Sequence, residues 1–233
     1  MGNTNFNELL LNAIPARHSV RQYIDKPIEG DKVSKLSVLV DECNTESGLH
    51  IQLVTNEPKA FASGLAKYGK FSNVGNYLAM VGEKGADEKI GYYGEKIVLY
   101  AQSMGLNSCW VGLTFKNQPD RYTVGAGEKL FCLIALGYGE VQGVQHPQKK
   151  SAEEFYKDER SVKQAVPEWF MAGIRAAMLA PTAVNQQKFR FVLHDNDKVT
   201  ASTTFSLLNG MGYASIDLGI VKLHFELASG RAI

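Results

Sequence analysis

The chain has 233 residues, of which 45% are apolar and 21% charged, enough apolar material for one large core or two small ones. A formal net charge of +1 excludes a global attraction to nucleic acid or to an acidic membrane surface. No apolar run approaches the ~20 residues that a membrane-spanning helix needs.

From the N-terminus, Phe6, Leu9, Leu10 and Ala13 recur at helical spacing, so Asn5–Ala13 reads as a helix that Pro15 stops. Arg17–Tyr23 alternates and reads as extended. Asp31 is expected to cap a second helix carrying Val33, Leu36, Leu39 and Val40 on one face. His50–Thr55 and Tyr77–Val81 read as strands, while Pro58–Gly75 mixes helical and turn signals that do not resolve. Gly91–Met104 is a helix striped by Tyr93, Ile97, Tyr100 and Met104, with Gly105 as its stop. Leu106–Leu113 and Leu130–Leu136 follow as buried strands, and Gly143–Lys150 is a polar linker. Pro167 then opens a helix that Pro181 closes, Phe189–Leu193 is a strand, and Ser215–Ala228 is a helix ending at Gly230. Cys43, Cys109 and Cys132 show no metal spacing and read as buried thiols of a reducing compartment. With no secretory pattern in the first residues, the expected location is cytoplasmic.

The pattern restarts after the linker. Arg17–Gln22 precedes the first capped helix, and Arg160–Gln164 precedes its counterpart; each is followed by helix, polar loop and strand, then by a long helix ending in glycine. Two generic α/β stretches could give the same order by coincidence. A real repeat implies halves 1–150 and 151–233 packed about a pseudo-twofold axis, as in a homodimer.

Three stretches could carry chemistry. Arg17, Ser19 and Arg21 alternate in an extended segment, which projects two guanidiniums and a hydroxyl to one side as a clamp for phosphate or carboxylate. His18 points the other way, with its backbone N–H still available to a ligand. The same arginines could be a solvated surface pair. The loop from Ala180 to Gln187, including Pro181, Thr182, Ala183 and Asn185, offers one hydroxyl and three side-chain amides, which suits a flat heterocycle with alternating carbonyl and N–H groups. It could equally be a plain proline-terminated helix exit. Trp110, Val111 and Gly112 end a buried strand, where the glycine lets backbone approach a ligand; Lys149 and Lys150 could add charge to the same anion. No P-loop, HExxH, CxxC or GxSxG is present, and no pair of carboxylates is spaced for acid–base work.

In this order, the landmarks resemble the FMN-dependent nitroreductase family, and within it the single-chain, internally duplicated branch. Arg17–Arg21 resembles the family's R-x-S-x-R segment, Pro181–Gln187 its P-S-x-x-N-x-Q-P loop, Ala101–Gly112 its A-x-x-x-G-L-x-S-x-W-x-G passage, and Leu136–Gly139 with Lys149 and Lys150 its G-Y and basic elements. The resemblance implies an α/β (α+β) nitroreductase-like three-layer sandwich with a mixed, mainly antiparallel sheet. It implies FMN held by Arg17, His18, Ser19, Arg21, Lys149 and Lys150 at the phosphate and ribityl chain. It places Trp110, Val111, Gly112, Pro181, Thr182, Ala183 and Asn185 about the ring, with NADH or NADPH as co-substrate and a small-molecule acceptor such as a nitroaromatic or quinone. Thr182 stands where serine is usual, Lys188 where proline is, and Phe189 where tryptophan is common. Flavin storage without turnover, or another flavin reaction such as dehalogenation or flavin cleavage, remain alternatives. The expected assembly is a pseudo-dimeric monomer, with further homodimerisation open.

Overall fold

The computed structural model describes residues 3–148, 150–205 and 213–233. Six helices and seven strands are named within them: α1 (Asn3–Ala13), α2 (Gly30–Ser47), β1 (Gln52–Val54), α3 (Gly64–Tyr68), β2 (Asn76–Glu83), α4 (Asp87–Ser103) and β3 (Asn107–Val111) come first. They are followed by β4 (Glu128–Gly137), β5 (Tyr156–Asp158), α5 (Glu168–Met178), β6 (Phe189–Leu193), β7 (Val199–Thr203) and α6 (Tyr213–Ser229). The chain divides into two compact units that interleave along the sequence. One comprises Ala16–Ala86 and Ile97–Val144, and the other Met1–Pro15, Asp87–Lys96 and Gln145–Ile233.

The first of these units is built on an antiparallel sheet in the order β1-β2-β4-β3. Residues 76–82 of β2 are all buried, which is why YLAMV reads as an unbroken apolar run rather than an alternation: both faces of the strand are covered. Tyr77, Ala79 and Val81 join Leu133 and Ala135 of β4 in one core with Phe61, Phe71 and Val111. Leu36, Leu39, Val40 and Cys43 form the buried face of α2. Its N-cap is Glu29 rather than Asp31, and no side chain caps the helix; Asp31 lies within the first turn, where its charge still complements the helix dipole. Asn44 fixes the exit from α2 by exchanging two 2.8 Å hydrogen bonds with the backbone of Ile51.

Segment 58–75, whose sequence signals are mixed, is held at its start by one buried acid. Glu57, 1% exposed, accepts the amide N–H of Lys59 at 2.9 Å and of Ala60 at 3.1 Å, and the Tyr77 hydroxyl at 3.3 Å. That nucleates a 3₁₀ turn at Lys59–Phe61 ahead of α3. Cys43, Cys109 and Cys132 are buried and form no disulfide among the described residues.

The other unit contains α1, the beginning of α4, α5, α6 and a small sheet ordered β5-β6-β7, parallel between β5 and β6 and antiparallel between β6 and β7. Its core is aromatic: Phe155 stacks on Phe189 at 4.8 Å and Phe191 on Phe225 at 4.6 Å, with Phe170 edge-on to Phe225 at 5.5 Å. The apolar alternation of FRFVL matches this, with Phe189, Phe191 and Leu193 buried. Sequence reading missed β5 and β7, whose short, polar segments carry no core pattern.

Helices α4 and α6 approach to backbone contact. A methyl group on Gly91 would lie 1.9 Å from the carbonyl oxygen of Ile216, and one on Gly219 would lie 1.9 Å from that of Glu88. The crossing is reciprocal, in that Gly91 meets Ile216 and Ile220 while Gly219 meets Glu88 and Tyr92. Tyr92 donates to Glu226 at 2.6 Å and Lys222 pairs with Glu88 at 2.5 Å across it. Within the same region His224 and Glu95 are both fully buried, 3.0 Å apart, with the second ring nitrogen of His224 3.0 Å from the Ala176 carbonyl.

Candidate functional site

Arg17, Ser19 and Arg21 lie on an extended stretch in the unit built on the four-stranded sheet. Ser19 bridges Ser108 in parallel fashion, and the Val20 amide donates to the Ser108 carbonyl at 3.0 Å. This docking beside β3 buries Val20 and leaves Ser19 and Arg21 exposed, as an alternating segment requires. Arg17 departs from that simple alternation: it is 3% exposed. The residue has other interactions, while its buried Nε and Nη1 make no hydrogen bond among the described residues. All three act on the Cys109 thiol. Burial pushes the Cys109 thiol up, while Arg21, Arg17 and a hydrogen bond with Ser19 pull it the other way. The guanidinium of Arg21 also lies 5.9 Å from the centre of the Phe71 ring.

One residue absent from the sequence reading shapes this corner. Asn107, 1% exposed, accepts the Gly139 amide N–H at 2.9 Å and donates to Gln142 at 3.0 Å, drawing the segment after β4 towards Arg17–Val20. Gly143, at φ +73°, completes the approach, since a methyl group there would come within 3.0 Å of His18 Cβ. An asparagine at a strand start carries no motif, so nothing in the sequence singled it out. Trp110 is half-buried and Val111 buried at the end of β3, an edge strand, with Gly112 following.

Pro181, Thr182, Ala183, Asn185 and Lys150 belong to the other unit. Lys149 lies outside the described residues. After α5 the chain makes a turn at Ala183–Asn185 in which Val184 and Asn185 have φ of +47° and +53°, and Gln187 follows at +45°. Three non-glycine residues in the left-handed region within four positions are unusual, and a β-branched valine there is strained. Val184 is 86% exposed, so packing of its side chain does not compensate. Asn185 Oδ1, in contrast, is buried and accepts no hydrogen bond among the described residues.

Several groups hold the loop. The Thr182 hydroxyl accepts the Gln187 amide N–H at 3.0 Å, and Gln187, 4% exposed, donates its side-chain amide to the Met178 carbonyl at 2.7 Å. His146 Nε2 is 2.9 Å from the same amide, and Lys150 donates to the Gln187 carbonyl at 3.4 Å while lying 5.2 Å from the Phe155 ring centre. Asp217 of α6 accepts the Ala183 amide N–H at 3.0 and 3.1 Å and the Gln186 side chain at 2.8 Å. Burial pushes this carboxyl up to about 6, against the hydrogen bonds from Gln186 and Ala183. A folded-state value above that of the unfolded chain means that its ionisation opposes folding as the pH rises through that range. Asp217 went unnoticed in the sequence because it is one acid in an otherwise apolar helix; that isolation was the available signal.

A cleft of about 290 Å³ elsewhere in the first unit is lined by Tyr23, Asp25, Lys26, Asn56, Asn73 and Asn76, among others, and by none of the residues above. Among the described residues, no group of three or more His, Cys, Asp or Glu side chains could hold a metal ion, and no helix is long and apolar enough to cross a membrane.

Comparison with known proteins gives a consistent picture. The family model described as "Putative TM nitroreductase" matches residues 9–229. The crystal structure of a putative nitroreductase from Thermotoga maritima superposes with a TM-score of 0.64 at 19% identity, covering 94% of this chain and 82% of that one, which shows a shared fold. A nitroreductase with bound FMN from Bacteroides fragilis is 22% identical over 61% of this chain and 94% of its own, with a TM-score of 0.44. No curated protein matches. The mixed α+β architecture with antiparallel sheet pairing is the nitroreductase-like one, and the chain belongs to the nitroreductase family that this model describes.

Proposed function

We propose that this protein is an FMN-dependent oxidoreductase that moves a hydride equivalent from NADH or NADPH to an electron-poor acceptor such as a nitroaromatic or a quinone. The observation that carries the reading is the Asn185 carboxamide oxygen, buried and without a hydrogen-bond donor among the described residues, on a strained loop. A buried acceptor left unmade is costly, and the imide N–H of a flavin ring is a donor of the required kind. Two arginines and a serine hydroxyl on one extended stretch, all acting on the same thiol, suit a phosphate such as FMN carries. The residues present therefore fit FMN.

Arg17, Ser19 and Arg21, with Lys149 and Lys150, supply the charge and donors for the phosphate, with the His18 backbone beside them. Pro181, Thr182, Ala183 and Asn185 orient the ring, and the backbone of Trp110, Val111 and Gly112 borders it. FMN, when bound, supplies the two-electron chemistry, so the protein needs no acid–base pair of its own. We read the chain as two copies of one unit, 1–150 and 151–233, with one flavin per chain. The recurrence of helix, antiparallel strand pair and helix, in α2, β1, β2 and α4, with α3 inserted between the two strands, and in α5, β6, β7 and α6, supports this, as does the reciprocal α4–α6 crossing.

The deciding experiment is anaerobic addition of NADH or NADPH to the purified protein loaded with FMN. Bleaching of the flavin absorbance is expected, followed by recovery on adding a quinone or nitroarene. A yellow protein that neither nicotinamide bleaches indicates flavin storage, and a chain that takes up no FMN removes the cofactor from the reading. Arg17→Ala is expected to weaken FMN by roughly 10–150-fold, equivalent to about 1.5–3 kcal/mol for a charge-assisted contact, and riboflavin hardly at all. Equal loss for the two ligands in a fluorescence titration would contradict the phosphate role. Asn185→Ala is expected to weaken both.

A further inference from the structure

Among the groups that hold the loop carrying Asn185, one is a buried carboxylate on α6 that reaches both sides of the strained residues. We propose that Asp217 is the positioning residue for the 182–187 loop, fixing its strained backbone so that Asn185 faces the ligand and thereby setting affinity for the flavin ring. The inference rests on the FMN reading above.

Three observations carry it. First, the loop conformation is not one its residues choose: Val184, Asn185 and Gln187 all have positive φ, and such backbone persists where surrounding contacts over-determine it. Second, Asp217 supplies contacts of that kind. It is 7% exposed and accepts from the backbone of Ala183 and the side chain of Gln186, the residues on either side of Val184 and Asn185. Bonds to a carboxylate are among the strongest in a folded protein, and a buried carboxylate that lost them would be left unsatisfied. Third, the anchor sits on a close helix crossing. Ile216 and Gly219, on either side of Asp217, are in backbone contact with α4, as is Ile220. A carboxylate fixed on that crossing transmits a fixed position to the loop.

The test uses the full-length protein and two readouts. One is amide hydrogen exchange of peptides covering Thr182–Gln187 without flavin; the other is titration with FMN and with riboflavin. Asp217→Ala is expected to speed exchange in those peptides at least tenfold, leave β2 and β4 peptides unchanged, and weaken both flavins by about tenfold or more. Asp217→Asn is expected to stay within about threefold of wild type, because its oxygen still accepts from Ala183 and the Gln186 amide can turn to accept from its nitrogen. A merely structural carboxylate gives no such paired response in loop exchange and ring affinity. Should Asp217→Ala not fold, Gln186→Ala leaves α6 intact and is expected to move both readouts in the same direction by about threefold. Loop exchange and flavin affinities within twofold of wild type in Asp217→Ala, or in Gln186→Ala if the former does not fold, overturn the proposal. Wild-type protein that binds neither flavin, with loop exchange still responding to Asp217→Ala, overturns the FMN reading instead.

Discussion

Gly219→Ala is expected to destabilise the α-helical unit by about 3 kcal/mol or more, lowering the melting temperature by roughly 6–12 °C. The added methyl group would sit 1.9 Å from the Glu88 carbonyl oxygen and 2.7 Å from the Tyr92 nitrogen. Both are backbone atoms, so no side-chain rotation relieves the clash. The helices must separate, which weakens the Lys222–Glu88 and Tyr92–Glu226 contacts along the same face. Gly91→Ala is expected to act similarly, because its methyl group meets the Ile216 carbonyl at the same distance. The control is Gly30→Ala, in the first turn of α2, where nothing lies within 4 Å; its melting temperature should match or exceed that of wild type. Unchanged thermal stability in Gly219→Ala would show that the helices do not approach this closely.

Glu95→Ala is expected to cost about 3–5 kcal/mol, read as a drop in the urea midpoint. Glu95 and His224 are both 0% exposed, and each nitrogen of the imidazole faces an oxygen at 3.0 Å: Glu95 on one side and the Ala176 carbonyl on the other. The Ala176 carbonyl can only accept, so Nδ1 donates to it, and Nε2 makes the second hydrogen bond with the Glu95 carboxyl. Removing the carboxyl leaves Nε2 buried beside a cavity without that partner, and the loss is then desolvation as well as packing. His224→Ala should cost a similar amount. The double variant should cost clearly less than the two singles together, since removing both partners strands neither; strict additivity would deny the coupling. Because the pair joins α4 to α6 and also reaches α5, its loss is expected to loosen the base on which Asp217 sits.

The clamp and the loop were legible in the sequence to different depths. Arg17, Ser19 and Arg21 could be picked out because alternation in an extended segment is a local property, and all three act on the Cys109 thiol. That Arg17 would be buried while Arg21 stays exposed was not legible, since it depends on docking beside β3, some 90 residues further along the chain. Pro181 and the amides of the next six residues marked a loop with polar capacity. Its strain did not show: Val184 is an ordinary residue for a strand or helix, and nothing local predicts a left-handed valine.

Composition and periodicity alone indicated the long helices and the strands β1 to β4 and β6, the helix ends at Gly105 and Gly230, and the buried character of β3 and of the second half of β4. They could do so because helix and strand patterns repeat over a few residues, and a glycine at positive φ terminates a helix wherever it stands. Sequence landmarks likewise sufficed to suggest the family, since R-x-S-x-R and P-T-x-x-N are short and contiguous. Only the tertiary structure decided that Gly91 meets Ile216, that His224 finds Glu95, and that Asp217 reaches the backbone beside Asn185. Each of these joins elements that are distant in sequence, so each depends on how helices pack rather than on what any segment prefers by itself.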